Sequence, residues 1–313
     1  MPILRVARVA FPLAVAAWLL SRTTPAHAQA CCAGSGTVTP GRLALHERAL
    51  VGSVMKAASV LGSWDQNGTY LPARAGSSEL DLEQDLFGAL RLFQGGQVAL
   101  LVPFVETHRK SRGKGELGGG IGDVNASGRW DITGAGASRY VPGVALLVGV
   151  TLPTGKPADA RDIGALATGA TGIGAFQING GLAVEQAVGP WLVSVTGLIA
   201  QRTARTVGTG GSAIHERLGP QWTALAAAAY VFPHEIAAAL AASYTVEENA
   251  TIDGKDAPHT SHRLPALTLG TAIPISDTWR VQTSLSLQPQ VDGLGQNQPA
   301  NAGTAITVLH SWF

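Results

Sequence analysis

The sequence predicts an all-β protein, a transmembrane antiparallel β-barrel of about twelve strands behind a cleaved leader, and three observations predict it. Apolar and polar residues alternate by twos through segments of about ten to sixteen residues. The connections between those segments alternate between short and long. No internal run approaches the roughly eighteen apolar residues of a spanning helix, although only 14% of residues are charged and mean hydropathy is positive. In lipid every backbone polar group must be paired, so a sheet crosses only when closed on itself. Its outer face then meets hydrocarbon and its inner face a lumen, which demands alternation without a continuous apolar run.

The chain of 313 residues opens with Arg5 and Arg8, an apolar run from Val9 to Leu20 and then SRTTPAHAQA. A basic region, a short apolar region and an Ala-x-Ala site define a signal peptide over 1–28, with Ala30 as a second cleavage candidate. Residues 29–48 follow as a periplasmic segment that either lies beneath the barrel or enters its lumen as a plug. The two cysteines, Cys31 and Cys32, are adjacent, and such neighbours rarely pair with each other. Lipidation of Cys31, pairing between chains or binding of a ligand, and a bystander role all stay open.

The barrel occupies 49–313. Its expected strands run 49–62, 79–93, 97–108, 120–133, 143–152, 173–187, 191–202, 217–231, 235–247, 263–273, 278–290 and 303–313. The second is the clearest: Leu80, Leu82, Leu86, Leu90 and Leu92 fall on one parity, and Asp81, Glu83, Asp85 and Arg91 on the other. Short turns at 94, 188, 232 and 274 belong to the periplasmic side; long connections such as THRKSRGKGELGGG belong outside. Trp130 falls near a periplasmic strand end, where an interfacial aromatic belongs. Phe313 closes the last strand, a C-terminal aromatic of the kind read by barrel-assembly machinery.

Several chemistry-bearing patterns fail on spacing. Between Gly149 and Gly155 lie five residues where a phosphate loop needs four, and Pro157 stands where Ser or Thr would bind magnesium. His259 and His262 are three apart without a convincing third metal ligand. Ser212 and His215 are a nominal pair for a rim hydrolase, and no Gly-x-Ser-x-Gly elbow occurs. The reading is therefore a non-enzyme without cofactor or metal. Formal net charge is +1 with scattered basic residues, which gives no electrostatic case for nucleic acid. The expected partners are outer-membrane lipid, the assembly machinery and a small-molecule solute; the expected state is a monomer.

Ionisable groups at membrane depth must face water or partners. Asp81, Glu83, Asp85, Glu106, Asp123, Asn125, Arg129, Asp131, Glu185, Arg202, Arg280 and Gln282 are the pore-lining candidates. They either pair across strands and stiffen the wall or set the selectivity of a pore.

GIGDVNASGRWDI and the later GVTLPTGKP resemble the outer-membrane putative transporter family of the MetA-pathway of phenol degradation. The matching positions are Gly120, Gly122, Asp123, Arg129, Pro153, Thr154 and Gly155. The resemblance implies a single barrel in a Gram-negative outer membrane that passes small organic compounds, hydrophobic or aromatic ones among them. The alternative is a structural or adhesive barrel with a closed lumen and functional outer loops.

Overall fold

In the computed structural model the described residues are 42–44, 46–135, 140–160, 162–207 and 213–313. The leader, Cys31, Cys32 and Ser212 lie outside them. Among the described residues there are eighteen strands and one short 3-10 turn, Pro233–Glu235. They are β1 (Ala49–Trp64), β2 (Tyr70–Pro72), β3 (Ser78–Phe93), β4 (Gly96–Ser111), β5 (Lys114–Ile121), β6 (Val124–Thr133), β7 (Gly143–Leu152), β8 (Gln177–Val188), β9 (Trp191–Arg202), β10 (Arg205–Val207), β11 (Ile214–Arg217), β12 (Gln221–Val231), β13 (Ala237–Glu247), β14 (Thr251–Ile252), β15 (Lys255–Asp256), β16 (His262–Pro274), β17 (Trp279–Leu287) and β18 (Pro299–Trp312).

Twelve of them, β1, β3, β4, β6, β7, β8, β9, β12, β13, β16, β17 and β18, pair in that order, each antiparallel to the next. Pairing of β18 with β1, from Ala49↔Trp312 to Ser63↔Pro299, closes the sheet and leaves the barrel no free edge. The expected twelve-strand barrel is therefore present. β1, β3 and β4 have 16 residues each, whereas β7, β12, β13 and β17 have 10, 11, 11 and 9, so one wall stands taller.

The parity rule fixes the two faces. In β9, Trp191, Val193, Val195 and Ile199 are exposed and outward, while Leu192, Ser194, Ala200 and Arg202 are buried and inward. The same separation runs through β7, where Leu146 and Val148 point out and Ala145 and Leu147 in. Aromatic rings gather at the periplasmic strand ends: Phe93, Trp130, Trp191, Tyr230, Phe232, Trp279 and Trp312. Trp191 meets Tyr230 edge-on at 5.0 Å, Tyr230 meets Phe232 at 4.7 Å, and His310 sits between Trp279 and Trp312 at 4.8 and 4.4 Å. Such a girdle belongs where headgroups meet hydrocarbon, because each ring has an apolar body and the Trp and Tyr rings a polar tip.

The expected long connection at 107–120 is largely strand. β4 continues to Ser111 and turns back as β5, with Ser111 paired to Lys114. Arg112 and Gly113 make the turn with φ of 50° and 81°. Two consecutive positive φ values match the right-handed twist of the flanking strands. The expected strand 120–133 is accordingly split at Gly122 and Asp123, between β5 and β6. Two other connections contribute a small separate sheet, β10-β11-β14-β15.

Candidate functional site: the lumen and its two ends

The inner face mixes small apolar groups with ionised ones, and the ionised ones are largely paired. Along β3 the inward positions carry Glu79, Asp81, Glu83 and Asp85, a column of four carboxylates. Lys56 of β1 stands opposite, with Nζ 2.9 Å from Glu83 and 2.6 Å from Asp85, whose side chain is buried. Asp81 accepts a hydrogen bond from the Thr107 hydroxyl at 2.9 Å. Arg109 grips both oxygens of Glu79, at 2.9 and 2.5 Å. Across the lumen, β9, β12 and β13 present mainly small groups such as Ser194, Thr223, Ala229, Ala239 and Ala241. One wall is thus acidic, and the facing wall is small except at its outer end, where Arg202 and Glu247 pair.

At the periplasmic end the network is denser. Arg129 bonds Asp131 at 2.8 Å and reaches Glu185 at 3.1 Å. Glu185 also pairs with Arg42, and Arg280 with Glu47, so two residues ahead of the first strand join the lumen's charges. Leu43 donates its N–H to Gln97 Oε1 at 3.0 Å and packs with Leu50, Phe87, Ala89, Ala99 and Leu309. Arg91 donates to the carbonyls of Glu47 and Ala44. Glu47 is 1% exposed, Arg129 7% and Arg280 8%. Isolated ions at such burial cost several kcal/mol each, on the order of 3–5 kcal/mol when a partner is removed, so mutual pairing is what makes the arrangement tolerable.

The outer rim has its own organisation. Asp123 sits at the break between β5 and β6, where Oδ1 accepts the N–H of Gly155 at 2.9 Å and Oδ2 that of Ile173 at 2.7 Å. Thr154 Oγ1 donates to the Gly122 carbonyl at 2.7 Å and accepts from the Val124 N–H at 3.0 Å. The connection from β7 to β8 is held down further by Glu116, which accepts from Thr168 Oγ1 at 2.8 Å and from Leu166 N–H at 3.1 Å. These bonds to its charged form hold the Glu116 carboxyl below the ordinary carboxylate range, the Thr168 hydroxyl first. Gly118 lets the connection approach: a Cβ there would lie 2.5 Å from Thr168 Oγ1 and 2.7 Å from the Gly169 nitrogen.

The pore-lining candidates divide on this geometry. Asp81, Glu83, Asp85, Asn125, Arg129, Asp131, Glu185, Arg202, Arg280 and Gln282 share the inward face. Arg202 is tied to Glu247 at 2.6 Å and to Gln177 and Gln221 at 2.7 and 2.6 Å, and Asn125 to Thr151 at 3.0 Å. Glu106 is different. It shares the outward parity of Val98, Leu100 and Phe104 and lies 2.6 Å from His108, above the apolar band. Charge is admissible there because the position has risen out of hydrocarbon. Asp123 lies in the break, with both oxygens engaged by loop backbone, so it faces neither strand surface as expected. Lys56, Glu79, Arg91 and Arg109 were absent from the expected set. Lys56 falls on the parity of Leu50 and Val54, and that apolar company masked its inward direction.

Of the resembling motif positions, Gly122, Asp123, Thr154 and Gly155 meet in one knot with Gly120 and Pro153 beside them in sequence, whereas Arg129 is at the other end. His262 stands 4.0 Å from Glu247, and the His259 carbonyl accepts from Asn297; among the described residues they form no group of three or more metal-ligating side chains. His215 is held by Asp253 through its backbone N–H at 2.9 Å.

A closed twelve-strand sheet, apolar outside, ionised inside and girdled by aromatics, defines the class: an outer-membrane β-barrel. Comparison with solved structures agrees. The fold is similar to that of an outer membrane channel from Pseudomonas putida F1, with a TM-score of 0.71 at 16% identity over 88% of this chain and 100% of that one. It also resembles the translocator domain of the autotransporter NalP from Neisseria meningitidis, with a TM-score of 0.50 at 12% identity over 98% of each chain. No family model matches the sequence, and no curated protein does. These likenesses establish the barrel fold.

Proposed function

We propose that the protein is a passive outer-membrane channel for small organic molecules, hydrophobic or aromatic ones among them. One observation carries the reading: the inner face of β3 bears a column of four carboxylates, Glu79, Asp81, Glu83 and Asp85, facing a wall of mainly small groups, which a packed core has no use for. Twelve strands enclose a lumen between packed eight-strand barrels and open sixteen-strand porins, a width suited to small solutes. The channel activity of the Pseudomonas putida F1 protein comes to this chain as part of the proposal. The meeting of the Gly122-Asp123 and Thr154-Gly155 segments in one knot supports the resemblance to the phenol-degradation transporter family. The protein works as a monomer, and Phe313, stacked on His46 at 5.2 Å, is its signal to the assembly machinery.

A second reading, a closed barrel whose outer loops carry the function, is favoured by the residues ahead of β1 that pack inside the periplasmic end. Planar-bilayer conductance of the mature chain, with and without residues 31–48, separates the two. The channel reading expects a small conductance that rises when the segment is removed. A folded barrel that passes neither ions nor solute in either form sinks it.

A further inference from the structure

Two cations of the barrel wall take their partners from the segment ahead of β1. Arg280, on the inward face of β17, pairs with the Glu47 carboxylate. Arg91, on the inward face of β3, donates to the Glu47 carbonyl at 2.8 Å and to the Ala44 carbonyl at 2.5 Å. Among the described residues neither guanidinium has another partner.

β18 and β1 lie between the two strands and supply an apolar floor. Leu309 of β18, Leu50 of β1 and Phe87 and Ala89 of β3 pack together there, and Leu43 of the segment sits on them. Gly52 admits the Phe87 ring, since a Cβ at that position would lie 2.5 Å from it. Ser311 pairs with Leu50 across the seam and is buried, and its hydroxyl has no hydrogen-bond partner among the described residues.

The segment thus offers the wall one apolar side chain, Leu43, and one carboxylate, Glu47. A tight turn presents them together: the Glu47 N–H reaches the Ala44 carbonyl at 3.0 Å, and the Ala44 N–H reaches Glu47 Oε2 at 2.7 Å. A contact made only to hold the segment gains little from buried charge, since an apolar pair of similar volume does as well. Guanidiniums at the edge of an apolar floor suit a different task. Their planar forks match a carboxylate, and the floor matches an apolar body behind it.

The local charge favours the same ligand. With the segment gone, Arg91, Arg129 and Arg280 face the lumen at this end against Asp131 and Glu185, both of which Arg129 holds. The acidic column of β3 lies toward the outer end, and its nearest member, Asp85, is bound by Lys56 at 2.6 Å. An anion entering from the periplasm meets the guanidiniums before that column.

We propose that Arg91 and Arg280 form a binding site for small organic carboxylates with an apolar body, and that Glu47 and Leu43 occupy it as a tethered substitute. A ligand of this class competes with the segment and opens the periplasmic mouth. The site stands apart from conduction: a barrel that binds such a ligand and passes no current keeps the site and loses the channel reading.

Fluorine NMR of the folded mature chain in neutral detergent tests this, with para-fluorobenzoate and the neutral para-fluorobenzamide as probes. A tethered competitor acts at an effective concentration of about a millimolar or more, so the parent should bind the acid weakly. Glu47→Gln keeps the volume, removes the competing charge and should bind the acid at least about tenfold more tightly. Adding Arg280→Met to Glu47→Gln should cancel that gain, and adding Arg91→Met should cost about tenfold. The amide should gain nothing from Glu47→Gln. Acetate, which lacks the apolar body, should displace the acid about tenfold less readily than unlabelled benzoate does. Heat-modifiability on gels confirms that each variant is folded. A Glu47→Gln chain that binds the acid no more tightly than the parent would overturn the proposal. So would an equal gain for the amide, a gain that survives both arginine substitutions, or acetate that competes as well as benzoate.

Discussion

Replacing Glu47 with Ala should release the segment ahead of β1 from the lumen. Its carboxylate holds Arg280 through one oxygen and the Ala44 N–H, at 2.7 Å, through the other. Both charged partners are at least nine-tenths buried. Removing one member of a buried pair typically costs about 3–5 kcal/mol, because the remaining charge is left dry and uncompensated. Lumen water can reach Arg280 once the segment shifts, so the lower figure applies. About 3 kcal/mol corresponds to a shift of more than a hundredfold toward the released state. The measurement is the rate at which a membrane-impermeant thiol reagent labels Ala44→Cys in a Cys31→Ser, Cys32→Ser background. Labelling should accelerate by roughly a hundredfold in Glu47→Ala. A Glu47→Met, Arg280→Met double variant removes both charges and should return to near the parent rate, since an apolar pair of similar volume replaces the ions without loss. Equal labelling of the parent and Glu47→Ala would refute the reasoning, as would a double variant as loose as the single.

Three other outcomes are expected. Val195→Arg places a charge on the lipid face in the middle of β9 and should cost about 2–4 kcal/mol in urea titrations of refolding into vesicles; a loss under about 0.5 kcal/mol would place Val195 away from lipid. Asp123→Ala strips two backbone N–H groups of their acceptor and should loosen 153–176, raising protease cleavage there while single-channel ion selectivity changes little; a pure selectivity change would show that the carboxylate faces the lumen after all. Glu116 has its carboxyl depressed by bonds to its charged form, so its hold on the β7–β8 connection is complete above the ordinary carboxylate range. That hold is lost only as pH falls through the lower folded value. Hydrogen exchange at the Leu166 amide, corrected for intrinsic rate, should stay slow into that acid range, and Glu116→Gln should abolish the pH dependence.

The barrel was legible because a lipid-facing strand must alternate, and the exposed large apolar residues of β7 and β9 and the leucines of β3 keep to one parity, although Phe87, Leu147 and Leu192 turn inward. Legibility failed where the constraint lapses. In β4 both parities carry large apolar residues, Leu101 and Val105 inward and Leu100 and Phe104 outward, so polarity alone could not assign Glu106. Above the rim no hydrocarbon enforces alternation, and the glycines from 118 to 122 hid the hairpin and the break after it. The turn at Arg112-Gly113 was the available signal, since a two-residue turn with Gly second is a hairpin mark. Ion pairs inside the lumen depend on which strands become neighbours at which register. Lys56 with Asp85 and Arg129 with Glu185 are therefore products of the closed shape that no local pattern encodes.

Closure by β18 against β1 sets a rule for how this architecture can change. Removing a single strand would leave the chain's two ends on opposite sides of the membrane and turn the closing pair from antiparallel to parallel. A hairpin can be inserted or deleted without either change, so the barrel's circumference varies most readily in pairs of strands. The first strand must also keep its free edge protected until the last arrives, about 250 residues later, which makes the seam the final event of assembly rather than a contact that grows. Divergence in such a protein is therefore cheap in its outer loops, costly along that seam, and stepwise in its bore.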